Sequence, residues 1–283
     1  MPQLYLSTFI STVLLKQKIS MSNLSLRIIF GALYVALMVG ATIMGSPFFG
    51  VLMALIVFLS INELAVLANK SSSQHLWVNP AVFAGVILYL TFVGSREIDV
   101  KAYGIMLLVQ WACLYLTYSE LNRDKTLNFV SGTLYLAIPL IAVAIWFMQN
   151  TALHMEYILF YLITIWVYDS MAYVVGKAIG KRPVFPRVSP KKTIEGTVGG
   201  AVITILVMSV LNIYWLALPI HAYILSGVVI FFSIFGDFVE SYMKRKLGVK
   251  DSGNILPGHG GVLDRMDSIY LSALPYLVIL LSV

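Results

Sequence analysis

Charge is what this sequence has least of. Only 11% of its 283 residues are Asp, Glu, Lys or Arg, while 59% are hydrophobic; a soluble globular domain carries about a quarter charged residues. With a mean hydropathy of +0.88, a soluble domain of ordinary composition is excluded. Cysteine is nearly absent. The lone Cys113 rules out a disulfide within the chain and any thiolate metal cluster, which leaves it the role of a small apolar packing residue. Histidine is equally scarce: His75, His154 and His221 sit near different loops and form no metal-binding pattern. Gly176 to Lys181 superficially looks like a phosphate loop but lacks its spacing and its Ser/Thr. No nucleic-acid-binding motif is present, and the bases lie in loops close to apolar runs. The order of a secretory signal is missing too, because Lys16 and Lys18 follow the apolar stretch Leu4 to Leu15 instead of preceding it. Met21 offers a second start, and residues 1–26 are read as an N-terminal extension or interfacial segment.

What the sequence does contain is a string of apolar runs, each long enough to cross a bilayer. In hydrocarbon such runs must be helical, since no water is there to satisfy the backbone. The reading is an all-α, polytopic integral membrane protein of about nine transmembrane helices: 27–44, 48–68, 76–94, 103–119, 129–149, 155–179, 196–215, 217–238 and 266–283. Residues 27–149 form an N-terminal set of spans, and 150–283 a C-terminal region that holds the polar chemistry. If sides alternate, every Lys and Arg except Arg96 and Lys101 falls on one side. The positive-inside rule makes that side the cytoplasm. Two basic cytoplasmic loops then form the polar site, and the net charge of +6 suits an anionic leaflet and anionic substrates.

The densest polar stretch runs from Gly236 to Asp267. Asp237, Glu240, Ser241 and Lys244 recur at helical spacing and share one face. Asp264 and Asp267 stand where the next apolar helix starts, where the backbone dipole favours carboxylates. Two helix ends carrying acids therefore meet at one polar space. Such oxygen ligands suit a hard cation, Mg²⁺, which binds through one or two carboxylates plus substrate phosphates. The turn Pro257-Gly258-His259-Gly260-Gly261 lets backbone N–H groups approach a phosphate, and Lys244, Arg245, Lys246, Lys250 and Arg265 offset anionic charge. His259 is the one histidine placed for chemistry. The combination points to phosphoryl or nucleotidyl transfer.

Other polar positions feed the same site. Asp169 lies at least two turns inside the sixth span, so it needs a cavity, a cation or a base beside it. Gly176 and Gly180, then Gly196, Gly199 and Gly200, are small residues suited to close helix packing. Between them Pro183, Pro186 and Pro190 keep the loop 181–195 extended. Its Lys191 and Lys192 are placed for phosphates, while Ser189 and Thr193 are equally candidates for helix caps. Glu63 has two readings: it faces the bundle interior and helps shape the polar site, or it sits at a helix end and snorkels. The second is preferred.

Ser241 to Arg245, Lys250-Asp251-Ser252-Gly253, His259-Gly260-Gly261 and Asp264-Arg265-Met266-Asp267 together resemble the signature of the phosphatidate cytidylyltransferase (CDP-diacylglycerol synthase) family. Trp166 to Tyr173 and Ser189 to Gly200 resemble it as well. The resemblance covers the C-terminal half in detail. It implies transfer of CMP from CTP to phosphatidic acid, giving CDP-diacylglycerol and pyrophosphate. It also implies Asp237 and Asp264 as ligands of Mg²⁺, with a second cation left open. Asp267, Lys244 and Arg265 join them as catalytic residues. Asp169, Ser189, Lys191, Lys192, Glu195, Ser241, Arg245, Lys250, His259, Gly260 and Gly261 are the substrate-binding candidates. The partners are CTP, phosphatidic acid and membrane lipids, with no nucleic acid, and small-residue helix faces leave room for a homodimer. The location is a membrane, the bacterial inner membrane on this reading, with the site facing the cytoplasm. Two alternatives stand beside it. One is a CTP-using enzyme acting on another lipid, a polyprenol-type kinase or an archaeal-lipid cytidylyltransferase. The other is a transporter using Asp169 and Glu63 as coupling groups.

Overall fold

A computed structural model describes residues 23–68, 83, 85–86, 98–119, 125–149, 151–218, 222–253, 255 and 260–282. Eight long helices account for most of them: α1 Asn23–Met44, α2 Ser46–Ala68, α3 Val100–Ser119, α4 Lys125–Gln149, α5 Thr151–Ile179, α6 Ile194–Leu211, α7 Ala222–Lys246 and α8 Leu263–Ser282. They match eight of the nine expected spans. The ninth, 76–94, falls largely outside the described residues, as do residues 1–22 and His259. Six stretches, beginning at Ser46, Val100, Phe129, His154, Ile194 and Tyr223, are long and apolar enough to cross a membrane. The chain is thus a helical, polytopic membrane protein in its described part.

Helix α8 is the hub. From Leu263 to Leu277 nearly all its side chains are buried, and it packs against α7, α4, α3 and α2. Polar atoms in its middle find partners on neighbouring helices: Tyr161 Oη pairs with Ser272 Oγ at 2.7 Å, and the Tyr276 hydroxyl donates to Tyr157 O at 2.8 Å. A polar group in hydrocarbon otherwise goes unsatisfied, so such bonds act as interhelical glue. The outer face of α6 is apolar and exposed at Val198, Val202, Leu206 and Val210, as a lipid-facing surface should be.

The small residues of α5 and α6 do what their spacing predicts. Gly196 lies against Gly176 Cα and Ala172 O, and Gly200 lies on the Ala172 backbone, with no room for a Cβ at either. The proline-bearing loop departs from the all-α expectation. Pro183–Phe185 (β1) and Ser189–Thr193 (β2) pair as a small antiparallel hairpin, because prolines bar a helix there but tolerate an edge strand. Thr193 then caps α6, accepting from Gly196 N–H at 3.1 Å.

Glu63 overturns the preferred reading. It is 4% exposed and turned inward, with its carboxylate bonded to residues 252, 262 and 263. Snorkelling needs water within reach, and this carboxylate instead has donors of the protein around it.

Candidate active site

The site is built where α7 crosses the start of α8. Gly236 sits on the carbonyl of Asp267, a contact that a Cβ would block. This brings Asp237 next to the first turns of α8. The expected polar face of α7 is formed: Ser241 donates to Asp237 Oδ1 at 3.2 Å, and Lys244 is ion-paired with Glu240. Lys244 also bridges the two helices, reaching Asp264 Oδ1 at 2.5 Å.

The other oxygen of Asp264 organises the loop. Its Oδ2 accepts from Ser252 N–H at 2.9 Å, Ser252 Oγ at 3.0 Å and Gly261 N–H at 2.8 Å. Burial alone would raise the Asp264 carboxyl. The Lys244 ammonium and the N–H groups of Gly261 and Ser252 outweigh it and hold the group below the ordinary carboxylate range. Gly260 has φ +88° and lies against the Asp264 carboxylate, so the turn requires a residue without a Cβ. Gly260 and Gly261 thus shape the loop around Asp264.

A cavity of about 900 Å³ opens beside this junction, within the roughly 300–1,000 Å³ usual for ligand pockets. Asp169 from α5, Asp237 from α7, and Asp264 and Asp267 from α8 line it, as do Lys177, Lys191, Lys192 and Arg265. Ser189 lines it from the hairpin. Asp169 therefore has the cavity that an acid so deep in a span needs. Lys192 reaches from β2 and is ion-paired with Asp237. The opposite wall is apolar, with Phe30, Tyr34 and Val35 of α1 and Ile165 and Trp166 of α5. Tyr34 meets Trp166 edge to face at 6.0 Å. Val35 is itself exposed on α1, as is Ile28 two turns before it on the same face, so the apolar wall reaches the apolar outer surface.

Several expected site residues stand elsewhere. Glu195 accepts from Lys181 N–H, Arg182 N–H and Arg182 Nε at 3.0–3.1 Å and so fastens the hairpin. Arg245 donates to Val188 O and Val249 O, joining the end of α7 to the hairpin turn. Lys250 is exposed and does not line the cavity. Ser241 does not line the cavity and reaches it only through its bond to Asp237. Two residues that bear on the site, Lys177 and Ser252, were not read as site residues, and for Glu63 the site-shaping reading was the less preferred of the two. Lys177 carried a signal, since it lies two turns from Asp169 on the same helix; the pairing of Glu63 with the loop had none.

The donor set fits Mg²⁺. Among the described residues no group of three or more acidic, His or Cys side chains could hold a metal unaided. Mg²⁺ does not ask for one, since one or two carboxylates plus water and phosphate oxygens satisfy it. Asp237 Oδ2 is paired with Lys192 on the cavity side, and Asp264 keeps Oδ1 apart from the loop backbone, paired with Lys244. Asp237 Oδ2 and Asp264 Oδ1 are each held by a lysine ammonium, so a cation bound by this pair would displace or share those lysines.

Comparison with known proteins identifies relatives of the chain. A model of a cytidylyltransferase family matches residues 25–283. A phosphatidate cytidylyltransferase of Staphylococcus haemolyticus is 32% identical, over 87% of this chain and 92% of the relative. One from Staphylococcus aureus is 34% identical, over 81% and 96%. One from Bacillus subtilis is 38% identical, over 67% and 70%.

Proposed function

The chain belongs to the cytidylyltransferase family, and from that premise we propose that it transfers CMP from CTP to phosphatidic acid, the reaction for which its relatives are named. It is a membrane nucleotidyltransferase. A lipid phosphate oxygen forms a bond to the α-phosphorus of CTP as the α–β anhydride bond breaks, and pyrophosphate leaves. A phosphomonoester oxygen is already a nucleophile, so no strong general base is required, in keeping with the scarcity of histidine.

One observation carries the reading: a single cavity combines four carboxylates and four bases with an apolar wall that continues to the lipid-facing side. Lys191, Lys192, Lys177 and Arg265 bind phosphate oxygens, and Lys244 holds Asp264 in place. Mg²⁺, where bound, would neutralise the negative charge of the triphosphate. Asp237 and Asp264 would hold it, with Asp267 and Asp169 in support. The acyl chains enter sideways past Phe30, Tyr34 and Val35, so the headgroup meets CTP at the membrane edge. We place that edge at the cytoplasm, because the bases gather there.

The test uses the purified protein in detergent micelles with phosphatidic acid, Mg²⁺ and labelled CTP, with the other nucleoside triphosphates in parallel. Lipid-extractable label that depends on CTP, Mg²⁺ and phosphatidic acid is expected. Label appearing equally with another lipid acceptor, or none from folded protein, would overturn the assignment.

A further inference from the structure

The residues matched to the family signature lie in the second half of the chain, but the loop they form is held from the first half. Glu63 of α2 accepts Val262 N–H on Oε1 at 2.8 Å, and Leu263 N–H and the Ser252 hydroxyl on Oε2 at 2.9 Å each. Val262 precedes α8, and its carbonyl accepts from Arg265 N–H and Met266 N–H. The N–H groups that Glu63 takes are therefore among those a helix start leaves without a partner of its own. A cap side chain usually comes from the residues just before the helix. Here it comes from about two hundred residues away, and its charge suits the helix dipole. Gly253 and Gly261 are both pressed against this carboxylate, with no space for a side chain.

Ser252 couples this cap to the site. Its Oγ is 2.9 Å from Glu63 Oε2 and 3.0 Å from Asp264 Oδ2. A hydroxyl has one proton, so it serves the two carboxylates in alternation or shares the proton between them. Whatever displaces Glu63 therefore changes the hold on Asp264. With Oδ2 tied to Ser252 and Gly261, Oδ1 and its partner Lys244 are the part of Asp264 left for the site.

We propose that Glu63 is a positioning residue of the active site: it caps α8 from another helix and, through Ser252, fixes the orientation of Asp264. The inference rests on the functional reading above only for what Asp264 then does. Glu63 does not itself line the cavity. It makes helix α2, which carries none of the phosphate-binding bases, a required part of the catalytic centre.

The test compares Glu63→Gln, Ser252→Ala and the double variant in the full-length protein. Gln keeps the size but turns an NH₂ toward one set of donors. Ser252→Ala breaks the link and leaves the cap. Each single variant should raise the Mg²⁺ concentration for half-maximal rate by roughly 10- to 100-fold, as loss of a partner behind a metal ligand does. The double variant should cost less than the product of the two single effects, because part of each passes through the Glu63–Ser252 contact. Amide hydrogen exchange without Mg²⁺ or CTP gives an independent readout. In Glu63→Gln it should quicken at 261–263 and stay unchanged in α5 and α6. Should Glu63→Gln fail to fold, Glu63→Asp, which keeps the charge and draws it back from the loop, is read by the same Mg²⁺ shift and the same exchange at 261–263. An unchanged Mg²⁺ requirement with only less folded protein, or unchanged exchange at 261–263, would overturn the proposal. If the wild-type protein makes no cytidylylated lipid, the reaction reading fails on its own, and the exchange comparison still decides whether Glu63 holds the loop.

Discussion

Replacing Asp264 by Asn tests the site more sharply than any other single change. The substitution keeps the shape and removes one acceptor. If the amide oxygen stays at Oδ2, the NH₂ faces the Lys244 ammonium, now 2.5 Å from Oδ1. If the amide flips, the NH₂ faces Ser252 N–H, Ser252 Oγ and Gly261 N–H. Neither orientation satisfies all four donors. A hydrogen bond to a charged group contributes about 1.5–3 kcal/mol, and an unsatisfied buried donor costs about 1–3 kcal/mol. The Lys244 orientation loses one charge-assisted bond, so a loss of about 3 kcal/mol at the site is expected, or about a hundredfold in rate. Loss of the carboxylate as a cation ligand adds to it. The assay is CMP transfer at saturating and at limiting Mg²⁺, with thermal stability in detergent measured alongside. Activity should fall at both and furthest at limiting Mg²⁺. Near-normal activity of Asp264→Asn at limiting Mg²⁺ would refute the reasoning.

Other consequences are as definite. Lys192→Met removes the base paired with Asp237 and should lower kcat/KM for CTP by roughly 10- to 100-fold, the worth of a charge-assisted phosphate contact; steady-state kinetics with CTP varied would read it. Gly200→Val drives a side chain into the Ala172 backbone and should destabilise by about 1–3 kcal/mol or more through overpacking, seen as a lower melting temperature. The Asp264 carboxyl is depressed in the fold below its usual 3.8. Its contribution is therefore complete above that value and lost as pH falls through the folded pKa. Exchange protection of Gly261 should hold from neutral pH down through the ordinary carboxylate range and fail only in stronger acid.

Much of the architecture could be read from one dimension, because a lipid solvent leaves few options. Runs such as Ser46–Leu67 have to be helices, and the period that set Asp237, Ser241 and Lys244 on one face is a property of any helix. The glycines of α5 and α6 likewise announced a close crossing. Local signals of this kind do not say which distant group a residue will meet. Glu63 read as a helix-end acid because nothing near it in sequence could pair with it; its partners are the backbone at 262–263 and the Ser252 hydroxyl. Glu195 looked like a ligand and is a hairpin clasp, since only the fold puts Arg182 and Lys181 over it. The central place of α8 was hidden for a similar reason. Its first turns carry Asp264, Arg265 and Asp267, and nothing local says that the side chains beyond them are buried through Leu277.

The most direct test of the central claim, nucleotidyl transfer at this cavity, is to follow the two ends of the triphosphate. CTP labelled at the α-phosphate and CTP labelled at the γ-phosphate are supplied in turn with phosphatidic acid and Mg²⁺. The account predicts label in the lipid from α-labelled CTP and label in pyrophosphate from γ-labelled CTP. Label reaching the lipid from the γ-position, the signature of a kinase, would contradict it.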